Sequence, residues 1–538
     1  MVKRKVNGGE VAEKRAKKVA KEKKGLSEDD IRSMEEGVLS SPKKYNDLVA
    51  LINELKGRHS RKSVYNLSSG LLRIFGTLAK RGTLKGSRDN SDIQDKVKSW
   101  LLGRYREFKE VLIDQLLDPI DSESMLTTLN VLMKLLSAES KYMAPDSEGG
   151  YCPRELLSDI ICGVLKTKSE DVEVVIETLA GEDYMETYDD LRYHFYREIA
   201  EIVSKKETLL ADVSLDVVSD RLIDLLMAIQ TFPESDDEIE DFYFSKPVLT
   251  KTAMKNGTPL KQSSHKAMFQ KAWLSAMSLP MTADQYKAIL IVLHKRIIPY
   301  MIKPQLLMDF LTDAYNTGGA VSVLALNGLF SLMQKYNLDY PDFYKNLYAL
   351  FDSSIMHVKY RSRFLRLVDL FLSSTHLPAA IMASFIKIMA RLSLYAPPSA
   401  IIAIVPFIYN QLKRHPACMV MIHNPRPVDD YKDPFDINET NPLNTNALES
   451  SLWELETLQT HYHPNVASLA KIMSQPFRKP HYNLEDFLDH TYKGLLESEV
   501  NKRIKSKPPV EFETYDSVLQ PAHDLETPTN SYIQGWCW

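Results

Sequence analysis

The sequence is poor in glycine and has very few cysteines. Only 20 of its 538 residues are glycine, and the strict apolar and polar alternation of a half-buried strand is hard to find. Both features favour an all-α protein. The four cysteines, Cys152, Cys162, Cys418 and Cys537, form no C-x-x-C pair. We therefore expect reduced thiols in an intracellular protein rather than a disulfide framework.

Several motifs and long apolar runs are also missing. No G-x-G-x-x-G, Walker A or G-x-S-x-G run occurs, so the sequence offers no cradle for nucleotide phosphates and no hydrolase nucleophile. Because residues 1–24 contain no long apolar run, we expect no secretory signal there. The apolar run 401–408 is about half of the ~20 residues that a bilayer requires, and Pro406 interrupts it. We expect a kinked, buried helix there rather than a membrane span.

Two groups of polar residues invite a chemical interpretation that their spacing does not support. Zinc requires four ligands within tetrahedral reach, and the candidates approximate this spacing poorly. They are His415, Cys418, His423, His461 and His463. Asp486, Asp489 and His490 resemble a general base with its neighbours, but no nucleophile or pocket accompanies them. We therefore expect no metal, no cofactor and no catalytic residue.

The N-terminal region is strongly basic although the whole chain has a net charge of −4. Residues 1–24 contain ten Lys or Arg and three Glu. Such a run repels itself and buries nothing, so we expect residues 1–40 to be a disordered tail. One interpretation is a nuclear or nucleolar targeting signal, with contact to RNA phosphates as an additional role. The alternative is a solvated tail that no receptor binds. The candidate targeting residues are Lys3, Arg4, Lys5, Lys14, Arg15, Lys17 and Lys18.

Residues 41–231 read as an N-terminal domain of helical repeats. Apolar residues recur at helical spacing in a succession of segments, from 45–56 and 64–80 to 188–203 and 214–230. Their coarse period of 35–50 residues is typical of HEAT-like stacking, in which antiparallel helix pairs form an α-solenoid. An irregular helical domain is the alternative.

An acidic segment follows this domain. Residues 234–241 include six acids, and the prolines that follow suggest a flexible linker over 232–264. The other interpretation is a docking segment, in which Phe242, Tyr243 and Phe244 pack on a partner. Helical patterning then resumes over 265–505, with a core at 320–500. Residues 506–538 form a tail whose Trp536 and Trp538 either pack back on the chain or bind a partner.

The core of the second domain combines apolar stripes with basic faces. Residues 321–333 are apolar on almost every side, which predicts a central buried helix. The next helices carry Lys or Arg opposite their apolar stripes. If these helices stack in order, the cations form a ladder spaced by ~8–10 Å, suited to RNA phosphates or an acidic partner segment; a solvated face is the alternative. The ladder consists of Lys359, Arg363, Arg366, Lys387, Arg391, Lys413 and Arg414.

Several stretches of this core carry a family resemblance. They read LNGLFSLMQKYNLDYPDFYKNLYALFD, SRFLRLVDLFLSSTHLP, FIKIMARLSLYAPP and ALESSLWEL, followed by HYHPNV. This region resembles the nucleolar complex (Noc) family, whose shared part is called the CCAAT-binding-factor domain, and within that family it is most similar to the branch of the fourth member. The resemblance covers about a third of the chain.

The resemblance implies an α-helical scaffold of the small-subunit processome that acts in 18S ribosomal RNA maturation. It implies a nucleolar location and a large obligate partner, a protein like nucleolar protein fourteen, which binds the C-terminal half. Other processome proteins and direct contact with pre-18S rRNA belong to the same expectation, whereas a membrane or a small-molecule substrate does not. Two rival functions remain open: a CCAAT-type DNA-binding transcription factor and a HEAT-type nuclear transport adaptor.

Overall fold

The computed structural model describes residues 28–57, 61–84, 93–144, 151–169, 171–244, 259–423 and 432–503. Within these ranges the regular structure is helical throughout, and no strand occurs. The prediction of an all-α protein is therefore confirmed. Tertiary contacts divide the chain into two compact units, residues 1–347 and residues 348–538. The division falls inside one helix rather than at the acidic segment 232–264.

The helices of the first unit follow one another along the chain, and the longest connection runs from residue 229 to residue 261. The ranges are α1 (Glu28–Ser40), α2 (Asn46–Lys56), α3 (Arg61–Lys80), α4 (Ile93–Leu117), α5 (Ser122–Tyr142), α6 (Arg154–Lys166), α7 (Val172–Ala180), α8 (Asp189–Ser204), α9 (Lys206–Leu209), α10 (Leu215–Ala228), α11 (Gln262–Met277), α12 (Ala283–Val292), α13 (Met308–Asn316) and α14 (Gly319–Tyr336). The boundary between the two units lies within the next helix, α15 (Phe343–Ala349). As predicted, the segment 321–333 lies inside a largely buried helix, α14.

Packing in the first unit is that of an α-solenoid. Each long helix packs against its neighbour and also against the next helix but one: α3 contacts α5, α4 contacts α6, α5 contacts α7 and α6 contacts α8. This arrangement produces two layers of helices, in which each pair buries its apolar face only against the pairs beside it. The solenoid interpretation is confirmed, and the predicted helix boundaries agree with the observed ones within a few residues.

The expectation that residues 1–40 form a disordered tail was wrong for residues 28–40, which form α1. Ile31 and Val38 are seven residues apart and therefore lie on one helix face, and both are buried. The guanidinium of Arg73 on α3 donates two hydrogen bonds of 2.8 Å to the Glu35 carboxylate. The acidic residues 28–30 also favour a helix N-terminus at this point. The predicted targeting residues, Lys3 to Lys18, lie outside the described residues.

The expected linker is packed against the first unit where the structure describes it. Residues 241–244 contact the start of α8, and the side chain of Phe244 is buried. The Asp190 carboxylate accepts the backbone N–H groups of Tyr243 at 2.8 Å and Phe244 at 2.9 Å. Tyr243 in turn donates its hydroxyl to the Met133 carbonyl. These aromatic residues therefore pack on their own chain, and the prediction of a flexible linker was wrong for this stretch.

The second unit continues with helices that enclose a core of their own. They are α16 (Arg361–Phe371), α17 (Ala379–Ser393), α18 (Pro398–Arg414), α19 (Trp453–Thr457), α20 (Pro464–Ala470), α21 (Glu485–Leu488) and α22 (Tyr492–Val500). Helices α17 and α18 pack against each other and are buried over most of their surface. Pro406 lies inside α18, as predicted for a buried helix. Within the described ranges, no helix combines the length and apolar character that a bilayer crossing requires.

Two predicted helices of this unit are shorter than expected. The pattern over 446–458 predicts one continuous helix, but Ser450 is extended and separates a 3₁₀ turn from α19. Likewise, the apolar pattern predicts one helix over 483–505, but the part of it that the structure describes is divided into α21 and α22. The Thr491 side chain accepts the Gly494 N–H and begins a new helix there. Trp536 and Trp538 lie outside the described residues.

Candidate interaction site

The seven cations of the predicted ladder all lie on or beside α16, α17 and α18, but their environments differ. Only Lys359 and Arg363 are exposed and form no hydrogen bond or ion pair with any described residue. Lys359 lies in the turn just before α16, and Arg363 lies in the first turn of that helix. The other five bind parts of their own chain. Five of the seven cations are thus engaged within the second unit, and the prediction that the set binds RNA or a partner stays a prediction.

Lys387 contradicts its predicted position on an outer face, because its side chain is 0% exposed. Its ammonium donates to the Ser451 carbonyl at 2.6 Å and lies 2.7 Å from the carboxylate of Glu454, which is also fully buried. A buried Lys is stable only when such partners replace the water that it loses. The segment 432–454 covers this side of α17 and supplies them.

Arg391 joins the same buried group one turn further along α17. Its guanidinium lies 2.8 Å from Asp433 and 3.1 Å from Glu454. It also stands 4.7 Å from the ring centre of Trp453, a cation–π contact. Burial alone would raise the pKa of Asp433, but hydrogen bonds from Ser450 and Trp453 and the charge of Lys387 hold that pKa below its usual value. The Asp433 carboxylate is therefore held in its ionised form and, through these contacts, ties the segment 432–454 to α17.

Of the remaining cations, Arg366 and Lys413 hold segments near the end of the described chain, and Arg414 links α18 to α16. Arg366 donates to both Glu485 carboxylate oxygens, at 2.6–2.9 Å, and to Asp489 at 2.9 Å. Arg414 pairs with Asp369 on α16 at 3.2 Å, and Lys413 donates to the Phe477 carbonyl at 2.8 Å. Asp489, whose spacing to Asp486 and His490 invited a catalytic interpretation that the sequence did not support, is an ion-pair partner of Arg366.

Sequence reasoning missed the polar residues of α18 that bind an extended segment, residues 475–484. Asn410 donates to the Tyr482 carbonyl and accepts the Tyr482 N–H, at 2.8 and 2.7 Å. The Tyr409 hydroxyl donates to the Lys479 carbonyl at 2.8 Å. A signal was present, because Asn410 and Gln411 interrupt an otherwise apolar run in a helix that buries both of them.

Two cavities in the second unit lie beside these contacts. The larger, about 360 Å³, opens near the end of α18 and is lined by polar groups that include Lys413, Arg414 and His481. The smaller, about 260 Å³, lies beside α19 and has more apolar walls.

Among the described residues, no group of three or more His, Cys, Asp or Glu is arranged to hold a metal ion. Cys418 is buried, which raises the pKa of its thiol to about 11 and makes it a poor nucleophile.

These features define a class of protein, a helical-repeat scaffold whose second unit uses buried charges to fix its own loops. Family models match both parts of the chain: a TPR-repeat family described as nucleolar complex protein 4-like at residues 20–208, and the CBF/Mak21 family at residues 322–470. The second match includes α16 to α20 and most residues of the buried charge group.

Relatives extend the likeness over nearly the whole chain. Nucleolar complex protein 4 of Saccharomyces cerevisiae is 37% identical over 543 residues, which cover 92% of this chain and 96% of that protein. The human nucleolar complex protein 4 homolog is 36% identical, with 89% and 92% covered. An uncharacterized protein of Schizosaccharomyces pombe is 42% identical, with 90% and 97% covered. The chain belongs to the nucleolar complex protein 4 family. It is a nucleolar factor of ribosome biogenesis.

Proposed function

We propose that the protein is a non-enzymatic scaffold for assembly of the small (40S) ribosomal subunit and supports 18S rRNA maturation within the small-subunit processome. The observation that carries this proposal is a sequence match to one nucleolar family over most of the chain. The matched residues include both the helical solenoid of the first unit and the helices of the second unit. Stacked helices offer long surfaces on which partner segments fold and bury apolar area.

The partner in this proposal is one large nucleolar protein, like nucleolar protein fourteen, held by the second unit. That unit supports a stable interface because ion pairs and side-chain-to-backbone hydrogen bonds fix the extended segments 432–454 and 475–484 on its surface. Fixed segments lose little conformational entropy on binding, so more of the contact energy remains as affinity. Other processome proteins would then join through this pair.

The proposal also includes direct contact with pre-18S rRNA. Only two residues, Lys359 and Arg363, support this contact. Both are exposed, and no described residue neutralises them. Two phosphate contacts supply only a small electrostatic contribution, so RNA strengthens the assembly rather than holding it together. The engaged cations, such as Lys387 and Arg391, belong to the fold.

The test is affinity purification of the tagged full-length chain from nuclear extract, with and without RNase, followed by mass spectrometry. Recovery of one large nucleolar protein at equal stoichiometry after RNase treatment supports the scaffold. Loss of every nucleolar partner after RNase would overturn it, because RNA would then hold the assembly together.

A charge-reversed double variant, Lys359→Glu with Arg363→Glu, tests the RNA contact. It should retain the partner but recover less pre-18S rRNA than the unsubstituted chain. Lys493→Glu is the matched control, since Lys493 is 85% exposed and lies on α22. Equal RNA recovery from the double variant and the control would remove the RNA contact from the proposal.

A further inference from the structure

The cavity of about 260 Å³ beside α19 is formed by three separate parts of the second unit. Met421 comes from the 3₁₀ turn after α18, Leu452 and Leu455 come from the start of α19, and Met473 follows α20. All four side chains are buried, with at most 8% exposed. The cavity therefore has an apolar floor, and it is open to solvent on one side, where Glu456 and Ser474 form part of the rim.

One wall of the cavity is held in a fixed orientation. Trp453 lines the cavity, and its indole N–H donates to the Asp433 carboxylate at 3.1 Å. The guanidinium of Arg391, at 4.7 Å from the ring centre, further restrains the ring. Because these partners are themselves paired within the buried charge group, the indole cannot turn away without breaking that group. The wall is thus preorganised before anything enters the cavity.

The size and chemistry of the cavity point to a single side chain as its occupant. Pockets for free small molecules usually measure ~300–1,000 Å³ and surround most of the ligand. A smaller, open cavity with two methionines suits one large aliphatic or aromatic side chain, because methionine adapts to irregular shapes. Glu456 on the rim is exposed and has no ion-pair partner among the described residues, so it favours a cation beside that side chain.

We propose that this cavity receives an anchor side chain, Leu, Ile, Met or Phe, from a segment of the partner protein that carries a Lys or Arg next to the anchor. The proposal rests on the proposed scaffold function, since it assigns a specific contact to the partner of the second unit. In this arrangement the buried charge group has a second role: it positions Trp453 as a wall of a binding pocket.

Two substitutions on the rim test this contact in the full-length chain. Ser474→Trp places a large ring at the mouth of the cavity and should exclude the anchor side chain. Because burial of such a side chain contributes binding free energy, its exclusion should weaken binding of the purified partner about 10-fold to 100-fold. Glu456→Lys should weaken binding about 3-fold to 10-fold, with the effect shrinking as salt rises. Ser474 and Glu456 are both exposed, so the fold tolerates these changes.

Matched controls separate this contact from general damage. Ser373→Trp adds the same ring at an exposed serine outside the cavity, and Glu497→Lys reverses an acid that is 59% exposed on α22. Both controls should bind the partner within twofold of the unsubstituted chain. Equal affinity of Ser474→Trp and Ser373→Trp would overturn the proposal while leaving the scaffold function intact.

A photo-crosslinking residue in place of Ser474 identifies the occupant. Irradiation of the full-length chain in nuclear extract, with the crosslinked peptide sequenced, should give a partner segment in which a large apolar residue adjoins Lys or Arg. Replacing that apolar residue by Ala should reproduce the loss seen with Ser474→Trp. Crosslinks only to this chain, whether from its own tail or from a second copy, would overturn the proposal. If the unsubstituted chain yields no RNase-resistant partner, the scaffold function itself fails together with this contact.

Discussion

Removing the charge of Lys387 should destabilise the second unit strongly, because Glu454 would lose a buried partner. The two charged atoms are 2.7 Å apart, and both side chains are 0% exposed. Breaking a buried ion pair on one side destabilises a protein by about 3–5 kcal/mol. In a Lys387→Met chain, Arg391 still lies 3.1 Å from Glu454. We therefore expect the lower end of that range, about 3 kcal/mol.

Hydrogen exchange is the appropriate assay, since a chain of two units does not unfold in one step. A loss of about 3 kcal/mol corresponds to about a 100-fold loss of protection. It should appear in peptides from α17 and the segment 447–460 and leave the amides of α3 unchanged. The double variant, Lys387→Met with Glu454→Leu, should recover at least half of the loss because the fully buried carboxylate is gone and Asp433 keeps its pairing with Arg391.

Lys493→Met is the control for this experiment, since it removes the same charge from a side chain that is 85% exposed. It should change protection by less than about 0.5 kcal/mol. The reasoning would be refuted by a Lys387→Met chain whose protection changes no more than that of the control. It would equally be refuted if the double variant lost more protection than the single one, because the pair would then be a net source of stability.

Three further predictions concern the hydrogen bonds and charges elsewhere in the two units. Asp190→Ala removes the acceptor of the Tyr243 and Phe244 N–H groups; we expect a loss of about 1–3 kcal/mol and faster proteolysis within 232–244, with other sites cut at their usual rates. Burial lowers the pKa of His265 to about 4, so the unfolded chain binds a proton at this residue between pH 6.5 and 4 that the folded chain does not, and the contribution of His265 to stability falls by about 3 kcal/mol as the pH falls through this window. Urea unfolding across that window should show a smaller decline for His265→Gln, and equal declines would contradict the argument. Arg366→Ala removes a half-exposed ion pair with exposed acids; we expect a loss below about 1 kcal/mol that shrinks in high salt, as measured by hydrogen exchange of α21.

Helix positions in the first unit followed from the sequence because local periodicity determines them. Each solenoid pair buries its stripe against its immediate neighbours, so a stripe at helical spacing and its flanking breaks contain most of the information. The helix α1 shows where this failed. Its apolar residues, Ile31 and Val38, are few, and the basic run before them dominated the interpretation of residues 1–40.

The helix predicted near the C-terminal end of the described chain shows a second limit of periodicity as a predictor, because the structure divides it into α21 and α22. Leu488, Leu495 and the residues around them fit one helical stripe, so periodicity alone predicts a continuous helix. Thr491 instead accepts the Gly494 N–H and takes an extended conformation, which begins α22 separately from α21. A capping residue inside an apolar pattern is compatible with both outcomes, and the choice depends on contacts such as the bond from Ser362 to the Leu488 carbonyl.

The predicted outer-face position of Lys387 was wrong for a different physical reason, which also explains why the candidate cavity could not be predicted from the sequence. Helical periodicity identifies the face opposite an apolar stripe, but it does not show whether that face meets water or another segment of the chain. Lys387 lies on such a face, and its partners Asp433 and Glu454 are 46 and 67 positions further along the sequence. Only a segment that returns over α17 can bury this Lys, and the same segment carries Trp453, whose orientation forms the cavity wall. The packing of this one segment against α17 therefore both buries Lys387 and forms the cavity wall. Neither result can be predicted from the sequence pattern of α17 alone.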